Sequence, residues 1–251
     1  MTEEKKIYFA SDFHLGLEAE MDPLARERHV VKWLSSVADT ASAIYLVGDI
    51  FDFWWEYKSV VPMGFTRFLG KVSELTDSGL EIHFFTGNHD MWIGDYLSKE
   101  CGMILHTGPL YTTLQGKNFY IAHGEGLGTR DRSYKILLWL FRNRTLRKMY
   151  SFLHPRIGLA IAHRWTSHSR LIKEYSEKFR GEDSEPLVRH ARSVLELQEV
   201  DYFIFGHRHI SFEYDLGSSG AKIFFLGNWF NAPCYVSWDG KQAAIHTFSY
   251  H

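Results

Sequence analysis

The 251-residue chain predicts a layered α/β fold, and three observations carry that expectation. Short apolar runs alternate with stretches at helical spacing, in βαβα order. The runs close on Gly, Asp or Asn, as buried strands entering polar loops do. Short alternating strands separated by Gly, Ser and Asp turns then complete the chain.

In order, Lys6 to Ser11 reads as the first strand, with Asp12-Phe13-His14 at its carboxyl end. Pro23 to Ala38 has helical spacing through Leu24, Val30, Val31, Leu34 and Val37. Ala43 to Val47 is the second strand and ends in Gly48-Asp49-Ile50-Phe51-Asp52. A helical pattern from Gly64 to Asp77 precedes the strand Ile82 to Thr86, which runs into Gly87-Asn88-His89-Asp90. Short strands are expected over 103–122, with a hairpin turn at Gly116-Lys117, and the last of them leads into His123-Gly124-Glu125-Gly126. Two helical patterns follow, Ser133 to Tyr150 and, after Pro155, a second to about Arg180. Ser184 reads as the cap of a helix running to Leu197. Asp201 to Phe205 is a further buried strand, ending in Gly206-His207-Arg208-His209.

With 45% hydrophobic and 16% aromatic residues the chain has ample core material, which excludes a disordered or fibrous class. Apolar runs are too short and too interrupted by charge to span a bilayer, and the charged start Met1 to Lys6 argues against a signal peptide. Cys101 and Cys234 lack CxxC spacing and read as reduced, buried thiols of a cytoplasmic protein. Charge is segregated: residues 129–180 hold 13 Lys and Arg against 3 Asp and Glu, while the rest holds 15 against 27. Such a basic block points to an anionic partner. Its basic residues are mixed with aliphatic runs and form no solvated stripe, so nucleic acid is not the expected one.

Strand ends thus carry Asp12 and His14, Asp49, Asn88, His123, and His207 and His209. Polar residues that a scaffold gathers at the carboxyl ends of strands are usually functional. Carboxylates, imidazoles and one amide, without thiolates, suit divalent Mn, Fe, Zn or Ni. Seven such residues exceed what one ion needs, and Asp49 is a natural bridge between two.

Asp-x-His, Gly-Asp-x-x-Asp, Gly-Asn-His-Asp, His-Gly and Gly-His-x-His, in this order, resemble the calcineurin-like metallophosphoesterases. The resemblance implies a four-layer αββα sandwich. It implies one cation held by Asp12, His14, Asp49 and His209, and another by Asp49, Asn88, His123 and His207, with Asp52 supporting them from behind. His89 would face the phosphoryl group as acid or charge stabiliser, and Asp90 would fix its tautomer and raise its pKa. Two cations, Mn2+ by preference with Mg2+, Fe2+ or Zn2+ also accepted by these donors, would activate a bridging hydroxide.

Within that family, Gly48 to Trp54 and His123 to Asp131 resemble the UDP-2,3-diacylglucosamine pyrophosphatases of lipid A biosynthesis. These insert a helical cap after the His-Gly strand, which implies a phosphoesterase domain over 1–128 and 181–251 and a basic, aromatic cap over 129–180. The implied reaction yields UMP and 2,3-diacylglucosamine 1-phosphate. The cap would bind the acylated UDP-sugar, with Arg130, Asp131 and Trp139 as contacts and Ile136 to Phe141, Leu159, Ile161 and Trp165 as an apolar groove. Its arginines would meet the anionic cytoplasmic face of the inner membrane. The chain departs from those relatives in having His89 where some carry Arg, Glu125 in place of Asp, and Gly128 in place of Cys. Another phosphoesterase acting on a nucleotide or phosphodiester is the alternative, and a scaffold without catalysis the third.

Overall fold

Alternation of buried faces along two sets of strands decides the architecture. The computed structural model describes residues 5–128, 139–141, 143–154, 156–158, 178–179 and 181–249. Strands β1 (Lys6–Ala10), β2 (Ala41–Val47), β3 (Glu81–Phe85) and β4 (Ile104–His106) pair in parallel. Two antiparallel strands, β10 (Cys234–Trp238) and β11 (Ala243–Thr247), extend this sheet beside β1, giving the order β11-β10-β1-β2-β3-β4. The second sheet has the order β5-β6-β7-β9-β8, from β5 (Leu110–Leu114), β6 (Lys117–Ala122), β7 (Tyr202–Phe205), β8 (Ser211–Asp215) and β9 (Lys222–Leu226). In it β6, β7 and β9 are parallel, and β5 and β8 flank them antiparallel.

Ile7, Phe9, Tyr45, Val47 and Phe85 of the first sheet pack against Phe119, Ile121, Ile204, Phe224 and Leu226 of the second. Their neighbours Tyr8, Ala10, Ile44, Leu46 and Phe84 point the other way, onto α1 (Pro23–Val37) and α2 (Thr66–Asp77). Tyr120, Phe203, Phe205 and Phe225 likewise meet α5 (Pro186–Leu195) through Leu187, Val188 and Ala191. Period-two alternation on both sheets therefore builds helix, sheet, sheet, helix, the four layers expected. Among the described residues, α3 (Tyr96–Cys101), which periodicity did not predict, and α4 (Arg144–Ser151), inside the predicted cap, are smaller helices.

Local rules account for the helix starts. Asp22 caps α1 by accepting the Ala25 N–H at 2.9 Å, with Pro23 in the first turn. The buried Glu27 carboxylate of α1 accepts the N–H groups of Arg67 and Phe68 at 2.8 and 3.1 Å, capping α2 from outside. Two boundaries differ from expectation. The hairpin turn is Gln115-Gly116, both with positive φ, one residue earlier than Gly116-Lys117, because a tight hairpin needs two left-handed residues. Glu185, not Ser184, occupies the position before α5, and its side chain makes no capping bond. Cys101 and Cys234 are free and buried.

Candidate metal centre

Parallel strands of both sheets deliver their carboxyl ends to one edge. There β1 leads to Asp12 and His14, β2 to Asp49, β3 to Asn88, β6 to His123, and β7 to His207 and His209. Asp12, His14, Asp49, His207 and His209 all have φ between 45° and 64°. Left-handed backbone at a residue with a Cβ costs about 1–3 kcal/mol and persists only where its surroundings impose it. The loops do so by holding one another: the N–H groups of Asp12 and His14 donate to the carbonyls of Gly48 and Asp49, both at 3.0 Å. Gly48 must be glycine, with φ at +82° and the space for a Cβ only 2.6 Å from the His123 ring.

The donor atoms converge. His209 Nε2 lies 3.1 Å from Asp12 Oδ1, and His14 Nε2 lies 3.7 Å from Asp12 Oδ1 and 3.8 Å from Asp49 Oδ2. On the other side His123 Nε2 lies 3.2 Å from Asp49 Oδ2. Three overlapping groups result, Asp12/His14/His209, His14/Asp49/His89 and Asp49/His123/His207, the ligand atoms of each lying within 4.8 Å of one another. Asp12 Oδ1, Asp49 Oδ2, Asn88 Oδ1 and His123 Nε2 are buried and carry no hydrogen bond. Buried polar atoms are rarely left so, and a divalent cation among them would satisfy them. His123 Nδ1 donates to the Val47 carbonyl at 2.9 Å, which turns Nε2 toward the cluster in the tautomer a ligand needs.

Electrostatics agree with a cation site. Burial alone would raise the Asp12 carboxyl, yet the imidazoles of His14 and His209 hold it far below the usual carboxylate range. Asp49 is held well below that range against burial, mainly by His123 and His89. Burial opposes protonation of His14 and His123, but Asp12 and Asp52 bring the first to about 9, and Asp49 brings the second to about 10. Without cations, the ring protons compensate the buried carboxylates; cation binding would displace them.

His89 is buried, and its ring stands edge-on to His14 with centroids 4.8 Å apart. Its Nδ1 donates to the Asp52 carbonyl at 2.9 Å, so Asp52 orients this imidazole. Asp90 has a different job from the one expected. Its Oδ1 accepts the Gly87 N–H at 2.7 Å, and its Oδ2 accepts those of Ile50 and Phe51 at 2.8 and 3.3 Å. It thereby ties the β3 loop to the β2 loop. Burial and the Asp49 charge raise this carboxyl to about 7.

Several residues at the site escaped sequence reading. Asn228, after β9, donates to the His209 carbonyl at 3.3 Å; the Leu226-Gly227-Asn228 strand end carried the same signal as Gly87-Asn88. Arg26 of α1 is fully buried and donates to the carbonyls of His14 and Met21 at 2.7 and 3.0 Å. Phe230 packs edge-on to His14 and His209, at 5.7 and 5.3 Å, with no signal in sequence.

The loop after Asp52 leads to an aromatic seat for α4. Tyr150 of α4 packs on Trp55 at 4.4 Å and Trp92 at 6.1 Å, and Trp92 Nε1 donates to the Phe141 carbonyl at 2.9 Å. Trp139 is exposed. Arg130, Asp131, Ile136, Leu137, Leu138, Leu159, Ile161 and Trp165 lie outside the described residues, so most of the expected groove does too.

Residues 5–211 match the family model of the calcineurin-like phosphoesterases. A UDP-2,3-diacylglucosamine hydrolase of Porphyromonas gingivalis is 43% identical over 255 residues, covering 96% of this chain and 97% of that protein. Another protein of that name, from Neisseria meningitidis serogroup B, is 28% identical over 90% of this chain and 91% of its own. A solved archaeal phosphodiesterase aligns over 96% of this chain and 99% of its own at 12% identity and a TM-score of 0.48. The family model spans the strand ends from Asp12 to His209, and the chain belongs to the calcineurin-like phosphoesterase family, as a metal-dependent hydrolase.

Proposed function

We propose that the chain hydrolyses UDP-2,3-diacylglucosamine at the α-phosphorus, releasing UMP and 2,3-diacylglucosamine 1-phosphate. The observation that carries this is the 43% identity, along 96% of the chain, to a relative named for that substrate. The cap supports it. Leu146, Met149 and Phe152 are exposed along and just past α4, with Trp139, Leu140 and Ile157 exposed nearby and Lys148 and Arg156 among them. An apolar surface bearing cations suits acyl chains and anionic headgroups, and it is the face we assign to the inner-membrane surface. Among the described residues no helix is long and apolar enough to cross a membrane, and the contact proposed here is peripheral.

In this reading Asp12, His14, Asp49 and His209 hold one divalent cation, and Asp49, Asn88, His123 and His207 hold a second, Mn2+ by preference. When bound, the pair supplies Lewis acidity to the phosphoryl oxygens and makes an attacking water more acidic. The chain does the rest. Val47 and Asp52 fix the two rings through their carbonyls, His123 as a ligand and His89 beside the reacting group. His89 in its protonated form stabilises charge on the phosphoryl group or protonates the leaving oxygen. Asp90 keeps Asp49 and His89 in register by joining their loops.

Mass spectrometry of the products from UDP-2,3-diacylglucosamine, with Mn-loaded chain in detergent and an Asp49→Ala control, tests this. UMP and the acylated sugar phosphate, absent in the control, are expected. Metal-dependent cleavage of a generic aryl phosphodiester without turnover of the acylated sugar nucleotide would discard the substrate and keep the phosphoesterase.

A further inference from the structure

His207 and His209 stand on either side of Arg208 in a loop that is left-handed at both histidines, with φ 64° and 55°. The Arg208 N–H donates to the Gly206 carbonyl at 2.7 Å, closing a three-residue turn. With a side chain at its central, left-handed residue His207, such a turn is not a preferred state of the chain. Arg208 itself is 8% exposed. Its Nε donates to Glu185 Oε1 at 2.8 Å, and its Nη2 to Glu185 Oε2 at 3.2 Å and to the Lys178 carbonyl at 3.2 Å.

Glu185 is fully buried and sits where α5 begins, but it leaves the helix end without a side-chain cap and spends its carboxylate on Arg208. Lys178 and Glu185 are the chain's return from the cap, and Gly128 is its departure. The departure is fixed to the same place: Gly128 packs directly on the Pro186 backbone, and Arg189 Nη2 donates to the Gly128 carbonyl at 2.9 Å. The start of α5 is therefore the root of the cap, and the Arg208 fork joins that root to the turn between two candidate ligands.

We propose that Arg208 and Glu185 are a positioning pair, which sets the His207–His209 turn for cation binding and couples it to the root of the cap. A buried ion pair is a poor device for stability alone, because apolar residues of similar volume do as well or better. A planar guanidinium bound at two points fixes an orientation, which a lysine or an apolar pair cannot. The inference rests on the two-cation reading above.

The test is Mn2+ binding, by calorimetry and electron paramagnetic resonance, to full-length wild type, Arg208→Lys, Arg208→Gln and an Arg208→Met/Glu185→Met double variant, with thermal unfolding alongside. Residues that orient ligands from behind typically change metal affinity about 10–100-fold. Arg208→Gln is expected to weaken Mn2+ binding by that factor. Arg208→Lys, which keeps charge and folds most readily, is expected to weaken it by about tenfold. The Met/Met variant is expected to melt at or above wild type and still bind weakly. Wild-type affinity in Arg208→Lys, or in Met/Met, would overturn the proposal and leave the two-cation reading standing. A wild type that takes up fewer than two Mn2+ overturns that reading, and the proposal with it.

Discussion

Asp49 Oδ1 accepts the backbone N–H of His89 at 2.9 Å, while Asp49 Oδ2 stands 3.2 Å from His123 Nε2. One carboxylate thus holds the β3 loop with one oxygen and presents the other to the cluster. Asp49→Ala removes both. It is expected to lower turnover more than about 100-fold, beyond the usual effect of supporting residues, and to lower bound metal measured by elemental analysis. The β2 loop retains its Asp90 ties, so a wild-type circular dichroism spectrum is expected; a retained rate would sink the bridging assignment.

His89→Ala separates chemistry from metal binding. An acid or charge stabiliser contributes about 10²–10⁴-fold, so kcat should fall by that range while bound Mn2+ stays near wild type. Equal loss of metal and rate would make His89 a ligand or a structural residue instead, as its place beside His14 and Asp49 allows.

Asp90→Asn keeps size but turns an amide NH2 toward donors. With both carboxylate oxygens taken by backbone N–H groups, one donor is left facing another donor. Loss of about 1–3 kcal/mol of stability is expected, read as a fall in urea midpoint at constant m. An unchanged midpoint would mean that the loops hold without this clamp.

A second histidine pair predicts a pH dependence away from the metal cluster. His83 Nδ1 and His106 Nε2 share a hydrogen bond at 2.9 Å, with His83 stacked on Tyr45 at 4.2 Å. Burial lowers both rings, His106 further through His83, while Glu81 partly offsets the effect on His83. Unfolded, each binds its proton near pH 6.5, so the unfolded chain holds more protons below that value. Their contribution is complete above about pH 6.5 and is lost as pH falls toward the lowered folded values. In His106→Gln the drop in melting temperature between neutral and mildly acidic buffer should shrink; an identical drop would assign it elsewhere.

Met149 in α4 and Phe152 just past it are 63% and 81% exposed, on the face proposed above to meet lipid. The double change to Glu is expected to reduce sedimentation with anionic-lipid vesicles by about tenfold or more, at about 0.8 kcal/mol per buried CH2 lost. Cleavage of a water-soluble aryl phosphodiester should be unchanged. Wild-type vesicle binding would move the lipid surface to another face.

How much of this was legible in the sequence follows from the range of the interactions. Strands that end in Gly-Asp, Gly-Asn or His-Gly announce themselves locally, because the apolar run and the polar ending are contiguous, and the four-layer fold follows from the family those endings resemble. Asp90 misled for the same reason: its neighbour in sequence is His89, whereas its backbone partners at Ile50 and Phe51 lie about 40 residues away. Arg26 and the Glu185–Arg208 pair carry no local signal of burial, because arginine and glutamate in helices and loops usually face water, and only the folded chain buries them. The Gln115-Gly116 turn was off by one, since which residues take positive φ depends on strand register.

His14 and His209, whose Nε2 atoms approach to 3.4 Å, are separated by 195 positions in the chain. During synthesis the ribosome must therefore release β7 before the last donors can join the first, and any product cut short of His209 lacks part of the centre. In the two-cation reading proposed above, a full complement of cations would therefore require a chain finished through His209, and shorter products would lack a donor of the first site.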